Sequence, residues 1–309
     1  MSNKHIAFQQ QRQRLYGHLA LARISNSPTV VSNVLAGAAL AGAFASNNIL
    51  SGSIAVVALA MVLFYTAGMY LNDLFDYTLD CHKRPERPLP QGFVSRSEAT
   101  ITALALLAGG SGLLWIIGPR PFLCGLLLIA LIVCYDRWHK RNPLSPLLMA
   151  LCRVMVYIIA FIASSTRQSL SSWPTLFVPA CLLGIYVVGL TAIARMEGMS
   201  GSQAGRENWS SAVLLVPIVY IVYSLYGRQH LSLLTLLLAL LCIAWVVYSL
   251  TLLYSPTQRQ VGRCVRQLIA GIALIDALVL ATTGSIFGVL LALGAFASTL
   301  LLHRFVRGT

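Results

Sequence analysis

A row of four polar residues with helical spacing follows about twenty almost wholly apolar residues, and it consists of Asn72, Asp73, Asp76 and Asp80. On an α-helix the four share one face, about a quarter of the circumference, because each residue turns the helix by about 100°. Three close carboxylates repel one another unless a cation lies between them. Mg²⁺ is the natural candidate, since it takes hard oxygen ligands and commonly bridges carboxylates to substrate phosphates.

A basic segment follows this acidic row and favours a phosphate site. Its first cations are Lys83, Arg84 and Arg87, and it continues as Arg-Pro-Leu-Pro-Gln-Gly up to Gly92. Cations beside an acidic metal site suit a diphosphate, because its charge exceeds what one metal ion neutralises. The alternative is a solvated helix end with ordinary acid–base pairs. Polar residues at the end of a membrane-length run are, however, usually functional.

The pattern N-D-x-x-D-x-x-x-D after an apolar run, with R-P-L-P-x-G in the following loop, resembles the first Asp-rich motif of the UbiA superfamily of membrane prenyltransferases. The resemblance implies an intramembrane, Mg²⁺-dependent transfer of a prenyl group from a prenyl diphosphate to a small acceptor, which is often aromatic in that family. It implies Mg²⁺ ligands at three carboxylates, of which the first two are also catalytic: Asp73, Asp76 and Asp80. It implies substrate-binding roles for Asn72, Lys83 and Arg87.

Four residues elsewhere are further candidates. Tyr135 and Lys140 loosely fit the catalytic Tyr and Lys that UbiA-like proteins carry after the fourth span, although interfacial anchoring is equally open. Arg153 lies inside an apolar span, where a guanidinium needs an anionic partner or a wet cavity. It is a candidate for binding a diphosphate or an acceptor carboxylate, or for a structural pair with an Asp. Asn33 resembles a cavity-facing, substrate-binding Asn of the family, with a helix–helix hydrogen bond as the alternative.

The sixth apolar run ends where the family places its second Asp-rich motif, and this chain has no Asp there. Glu197 remains a candidate metal ligand, and Arg195 is a candidate for holding phosphate directly. Asp276, the one acid deep in a late run, is either neutral, paired with Arg153 or in the cavity. Three phrases, at 142–153, 190–197 and 271–278, resemble the EboC-like branch of UbiA proteins, which is tied to secondary-metabolite biosynthesis.

The composition predicts a polytopic membrane protein: of 309 residues 57% are hydrophobic and 10% charged, with a mean hydropathy of +0.76. Apolar runs occur at about 28–47, 52–71, 98–117, 120–135, 146–165, 174–194, 210–226, 231–254, 266–283 and 285–303. We expect an all-α bundle of nine to ten transmembrane helices around a lipid-substrate cavity. The resemblance implies nine, and the last two runs could instead form a re-entrant pair. We expect one domain over 1–309, with 1–27 as a cytoplasmic N-terminal segment.

The charges predict the orientation. If the N-terminus is cytoplasmic, 18 of the 22 Lys and Arg residues fall on the cytoplasmic side and three on the other. Eight of the nine acids fall on that same side, so we expect an active site open to the cytoplasm, in a bacterial cytoplasmic membrane. The net charge of +13 suits topology and anionic lipid better than nucleic acid.

The expected partners are a prenyl diphosphate, a small acceptor and membrane lipid, without nucleic acid and with no prediction of oligomeric state. Phosphoribosyl transfer and lipid cyclisation also occur on UbiA-like folds. From a different class, the chain could be a catalytically weak carrier or scaffold for a lipid-linked precursor. The intact first motif favours an enzyme, whereas the missing second motif favours the carrier.

Overall fold

The computed structural model describes residues 3–44, 52–139, 142–165, 173–196, 208–227, 231–254 and 260–305, and these fold into helices. The helices are α1 (Asn3–Leu21), α2 (Ser27–Leu40), α3 (Gly52–Lys83), α4 (Arg96–Ile117), α5 (Pro119–Trp138), α6 (Ser145–Ser164), α7 (Trp173–Arg195), α8 (Asn208–Val213), α9 (Val216–Gly227), α10 (Leu233–Leu253), α11 (Val261–Thr282) and α12 (Ile286–Phe305). A single 3-10 turn, Ile24–Asn26, precedes α2.

Nine helical segments in this described part are long and apolar enough to cross a membrane. They are α3 to α7, the stretch Trp209–Gly227 that spans α8 and α9, and α10 to α12. The first apolar run of the sequence contributes the 14-residue α2. The last two runs form separate helices of 22 and 20 residues, each long enough to cross. The predicted all-α membrane bundle of nine to ten helices is confirmed.

Local sequence sets several helix boundaries. Ser95 caps α4, because its side chain accepts a hydrogen bond from the backbone N–H of Glu98 at 3.1 Å. Gly118 has a φ of 152°, and Pro119 then starts α5 at a position where its missing N–H costs nothing. The predicted run 210–226 is broken between α8 and α9 just before Pro217, whose ring prevents a continuous helix.

Helix α2 lies inside the bundle, against α3, α6, α11 and α12. It can do so because small residues face its neighbours. Gly37 is the tightest point: a Cβ added there would lie 2.6 Å from the carbonyl oxygen of Tyr157 and 2.9 Å from the Cβ of Ala160, both in α6. The backbones of α2 and α6 therefore meet through the missing side chain of Gly37.

Polar contacts tie together the helix ends at one end of the bundle, which we call the polar end. His303 near the end of α12 and Asn26 just before α2 are hydrogen-bonded at 2.8 Å. Arg14 of α1 donates to Glu98 at the start of α4 at 2.6 Å. The acidic row at the end of α3 lies at this end too, as described below. The helix ends that meet here are the ones that the charge pattern assigns to a single side of the membrane.

We predict that Gly37→Ala destabilises the protein, because the new methyl group would meet the backbone of α6, which has no room to move. The expected cost is about 1–3 kcal/mol, seen as a lower thermal midpoint in detergent. The matched control is Gly112→Ala in α4, where an added Cβ meets nothing within 4 Å. It should leave the midpoint unchanged or raise it. Equal midpoints for both variants would contradict the close approach of α2 and α6.

Candidate functional site

The acidic row lies on one buried face of α3, as its spacing predicts. The apolar run and the row form one continuous helix of 32 residues. The four polar side chains are all buried, at 5–9% exposure: Asn72, Asp73, Asp76 and Asp80. The residues between them on the opposite face, such as Phe75, are exposed. The shared polar face is therefore confirmed.

Two arginines hold the outer carboxylates of the row. Arg87, from the basic connection between α3 and α4, donates to Asp80 at 2.7 Å and to Asp73 at 3.4 Å. Arg23, just before α2, donates to Asp73 at 3.1 Å. Burial alone would lower the pKa of the Arg23 guanidinium, but the charge of Asp73 raises it above its ordinary value. The Arg23 guanidinium therefore stays positively charged within the acidic site.

Helix α5 faces the row with three polar residues at its end. The His139 ring lies 3.7 Å from the carboxylate of Asp76 and stacks on Tyr135, with ring centroids 5.2 Å apart. Asp136 is 4% exposed and accepts a hydrogen bond from Asn72 through Oδ1 at 3.2 Å. Its other oxygen, Oδ2, is buried without a hydrogen-bond partner. The end of α5 thus adds a fourth carboxylate to the three of α3.

A cavity of about 230 Å³ opens beside this cluster, between α3, α5, α6, α7 and α11. Its polar wall consists of Arg23, Asn26, Tyr135, Asp136 and Arg153. The rest of the lining is mainly apolar and includes Met61, Phe64, Leu128, Val156, Leu190 and Ile272. A cavity with charged groups at one part and hydrocarbon elsewhere suits an amphiphile with an anionic head and an apolar chain.

A buried hydrogen-bond network supports Arg153 from behind. Asp276, fully buried in α11, accepts hydrogen bonds from Tyr157 at 2.7 Å, from Asn33 at 2.8 Å and from Ser32. The amide oxygen of Asn33 in turn accepts from Arg153 at 2.9 Å. Asn33 therefore bridges Asp276 and Arg153 by hydrogen bonds. Of the three alternatives for Asp276, this arrangement is nearest to a pair with Arg153, although the described contacts between the two are indirect.

Both ends of the Asn33 amide are thus engaged, and its side chain is fully buried outside the cavity lining. This position favours the helix–helix hydrogen bond over the substrate contact that we predicted for Asn33. The member of the network that lines the cavity is Arg153, whose guanidinium lies 5.8 Å from the centre of the Tyr65 ring. That geometry agrees with a cation–π contact.

The remaining candidates lie farther from the cluster or outside the described residues. Lys83 is exposed at the end of α3. Arg195 is exposed at the end of α7 and donates to the carbonyl oxygen of Pro143 at 3.3 Å, so it ties two connections together and does not line the cavity. Lys140 and Glu197 lie outside the described residues. Sequence reasoning assigned no role to Arg23, Asp136 and His139, which it counted only as charges near span ends.

The donor chemistry at the polar end fits Mg²⁺. Carboxylate oxygens are the hard ligands that this ion prefers, and Asp136, whose buried Oδ2 has no hydrogen-bond partner, is among the residues that line the cavity. Within the described part of the chain, no three His, Cys, Asp or Glu side chains converge closely enough to hold a metal by themselves. This agrees with an ion held by one or two carboxylates and completed by phosphate oxygens and water.

The chain belongs to the UbiA prenyltransferase family, whose model matches residues 30–268. A relative, the digeranylgeranylglyceryl phosphate synthase of Ignicoccus hospitalis, is 37% identical over 132 residues, which are 42% of this chain and 41% of that protein. The chain thus matches less than half the length of this relative. The family predicted from the acidic motif and the basic loop is confirmed.

Two solved structures share the fold. A UbiA homolog from Aeropyrum pernix K1, solved in its apo form, superposes with a TM-score of 0.65 over 83% of this chain and 97% of that one, at 16% identity. A UbiA homolog from Archaeoglobus fulgidus bound to GPP and Mg²⁺ gives a TM-score of 0.58 over 89% and 99%, at 17% identity. At such identities the likeness establishes the fold.

We predict that Asp276→Ala lowers the thermal midpoint strongly, because it leaves buried donors and the Arg153 charge uncompensated. Breaking a buried charged pair costs about 3–5 kcal/mol. Thr299→Val is the matched control, since this buried hydroxyl bonds only the carbonyl of Ala295 in its own helix. The control should lose about 1 kcal/mol or less. A variant at Asp276 as stable as this control would contradict the network.

Proposed function

We propose that the chain is a Mg²⁺-dependent intramembrane prenyltransferase, which moves a prenyl group from a prenyl diphosphate to a small acceptor. The observation that carries the proposal is the junction of two features: a buried, arginine-braced row of carboxylates and a largely apolar cavity of about 230 Å³ beside it. A prenyl diphosphate has the same two parts. Membership of the UbiA prenyltransferase family supports the assignment, as does the GPP and Mg²⁺ bound to the Archaeoglobus homolog.

The row of Asp73, Asp76 and Asp80 would supply one or two of the carboxylates that hold Mg²⁺, with Asn72 fixing the neighbouring Asp136. The ion, when bound, supplies positive charge against the diphosphate and so favours loss of the diphosphate as a leaving group. Arg23 and Arg87 lie at the same cluster and would share that charge once the diphosphate draws them from the carboxylates. Lys83 and Lys140 would add further positive charge against the diphosphate.

The apolar walls have the complementary task. Loss of the diphosphate leaves an allylic carbocation, which water would destroy. Met61, Phe64 and Leu128 in the described cavity offer no polar group to it and would exclude water around the prenyl chain. Tyr135, stacked on His139 at the polar wall, lies where it can assist ionisation through its hydroxyl or its ring face.

Arg153 is the group that we assign to the acceptor. Arg153 lines the cavity, with its guanidinium near the ring of Tyr65. Tyr65 precedes Asp73 on α3 by eight residues, so the two are about 12 Å apart along the helix axis at about 1.5 Å per residue. A carboxylate or phosphate on the acceptor would pair with its guanidinium. The relative from Ignicoccus hospitalis is named for a glyceryl phosphate product. Aromatic acids and glyceryl phosphates are therefore the two acceptor classes to compare first.

We expect purified protein to release diphosphate from geranyl, farnesyl or geranylgeranyl diphosphate only when Mg²⁺ and an acceptor are present. Asp76→Asn should lower the rate at least about 100-fold, because it weakens binding of the Mg²⁺ whose charge stabilises the leaving diphosphate. The measurement is diphosphate release followed by mass spectrometry of the prenylated product. Glu86→Gln, an exposed acid in the same basic connection, is the control and should keep the wild-type rate. Binding of prenyl diphosphate without turnover by any donor and acceptor would favour the carrier function instead.

We further propose that the polar end faces the cytoplasm, on the evidence of the Lys and Arg bias. Cys81, exposed near the end of α3, is a natural reporter once the other six cysteines are replaced. A membrane-impermeant maleimide should label it in inverted vesicles and leave it unlabelled in intact cells. Arg120→Cys, at the exposed start of α5 on the opposite end, should show the reverse in a background without Cys81. The opposite pair of results would place the polar end outside.

A further inference from the structure

Among the described residues, Asp136 carries the one buried carboxylate oxygen that has no hydrogen-bond partner. Its Oδ1 accepts from Asn72, whereas its Oδ2 is buried and has no partner. The side chain is 4% exposed and lies in the wall of the cavity. Unpaired buried carboxylate oxygens are costly, and in native proteins each has a reason, often an ion.

The two arginines that hold the acidic row form their described hydrogen bonds with other carboxylates and not with Asp136. Arg87 is bound to Asp80 and Asp73, and Arg23 is bound to Asp73. The Arg23 guanidinium acts on Asp136 electrostatically, and the carboxylates of Asp76 and Asp73 add negative charge around it. None of the described cations is hydrogen-bonded to Oδ2, so a cation bound there would compensate this oxygen directly.

We propose that Asp136 is a direct ligand of the divalent metal ion that accompanies the diphosphate, acting through Oδ2. This inference rests on the proposed function and deepens it. The carboxylate comes from the end of α5, so it would contribute a ligand from a second helix in a chain that has no Asp at the end of α7. Asn72 is then a positioning residue, because its hydrogen bond holds Oδ1 and leaves Oδ2 as the oxygen without a partner.

The ligand count agrees with this role. The described carboxylates do not converge into a site of three protein ligands, so the ion would take its other oxygens from phosphate and water. Mg²⁺ is commonly bound in this way, through one or two carboxylates plus substrate phosphates. Arg23 and Tyr135 line the same cavity as Asp136, so a phosphate group bound by Arg23 would share the polar wall with Asp136.

The test measures metal binding without turnover. Mn²⁺ takes the same oxygen ligands as Mg²⁺ and is visible by electron paramagnetic resonance. Purified protein is titrated with Mn²⁺ in the presence of inorganic pyrophosphate. Asp136→Asn preserves the shape and the acceptor for Asn72, and we expect it to weaken Mn²⁺ binding at least about tenfold, since even the loss of an outer-shell partner of a ligand costs about 10–100-fold. Glu86→Gln, exposed in the basic connection, should bind as the wild type does.

A second variant makes the test independent of folding defects. Asp136→Cys would replace a hard oxygen ligand by a soft thiolate, which prefers Cd²⁺ over Mn²⁺. The ratio of Cd²⁺ to Mn²⁺ affinity should rise at least about tenfold over the wild-type ratio if the side chain touches the metal. A residue that acts only on packing would leave that ratio unchanged, since both metals would be affected alike.

The outcomes separate this inference from the proposed function. If Asp76→Asn loses Mn²⁺ while both Asp136 variants bind it as the wild type does, Asp136 is not a ligand and the metal-dependent function stands. If the wild-type protein binds no Mn²⁺ with pyrophosphate, both the metal role of the acidic row and this inference fail. A tenfold loss in Asp136→Asn together with the Cd²⁺ preference of Asp136→Cys would establish the ligand.

Discussion

Ionised carboxylates inside a helix bundle are tolerated only where donors or cations compensate them, and this constraint fixes how the helices of this chain meet. Asp276 in α11 receives donors from α2 and α6. Asp73 in α3 receives Arg23 from the segment before α2 and Arg87 from the connection before α4. Each compensating group comes from another element, so the position of α2 relative to α3, α6 and α11 depends on these contacts.

The deep network and the polar end are linked along one wall of the cavity. Arg153 lies over the ring of Tyr65, and the hydroxyl of Tyr65 donates to the backbone carbonyl of Arg23 at 3.4 Å. Under the proposed function the cavity holds an allylic cation, and an uncompensated guanidinium beside it would repel that cation. The charge of Arg153 is balanced here by Asp276 through Asn33. Because the network compensates the charge of Arg153, this group can line the cavity with less electrostatic repulsion of a carbocation.

The sequence predicted the parts of this structure that depend on local periodicity, and it did not predict those that depend on how helices meet. The helical spacing of Asp73, Asp76 and Asp80 and the lengths of the apolar runs follow from one chain segment at a time. Arg23 reaches Asp73 across 50 residues, and Asp136 reaches Asn72 across 64. Such pairings leave no local pattern in the sequence. An Arg just before a span occurs in the same sequence context whether it sets the membrane topology or forms an ion pair with a carboxylate.

The role of Asn33 likewise depends on residues that are distant in the sequence. A polar residue in an apolar run indicates only that it must find a partner. Its partners, Asp276 and Arg153, lie 243 and 120 residues away, and both ends of its amide had to be located before a structural role could be preferred. Gly37, four residues later, shows the complementary case: its importance comes entirely from the backbone of α6.

Charge balance gives the reason why a diphosphate would need a divalent ion at this site. Five carboxylates are buried in or beside this site: Asp136 lines the cavity, Asp276 belongs to the network behind it, and Asp73, Asp76 and Asp80 form the acidic row. Three guanidiniums accompany them, those of Arg23, Arg87 and Arg153. If all are ionised, negative charge is in excess by two. Two like unit charges 4 Å apart repel by about 4 kcal/mol at an effective dielectric constant near 20. A bare diphosphate would therefore be repelled by Asp76 and Asp136, and a divalent cation would neutralise the excess of two negative charges and so remove that repulsion.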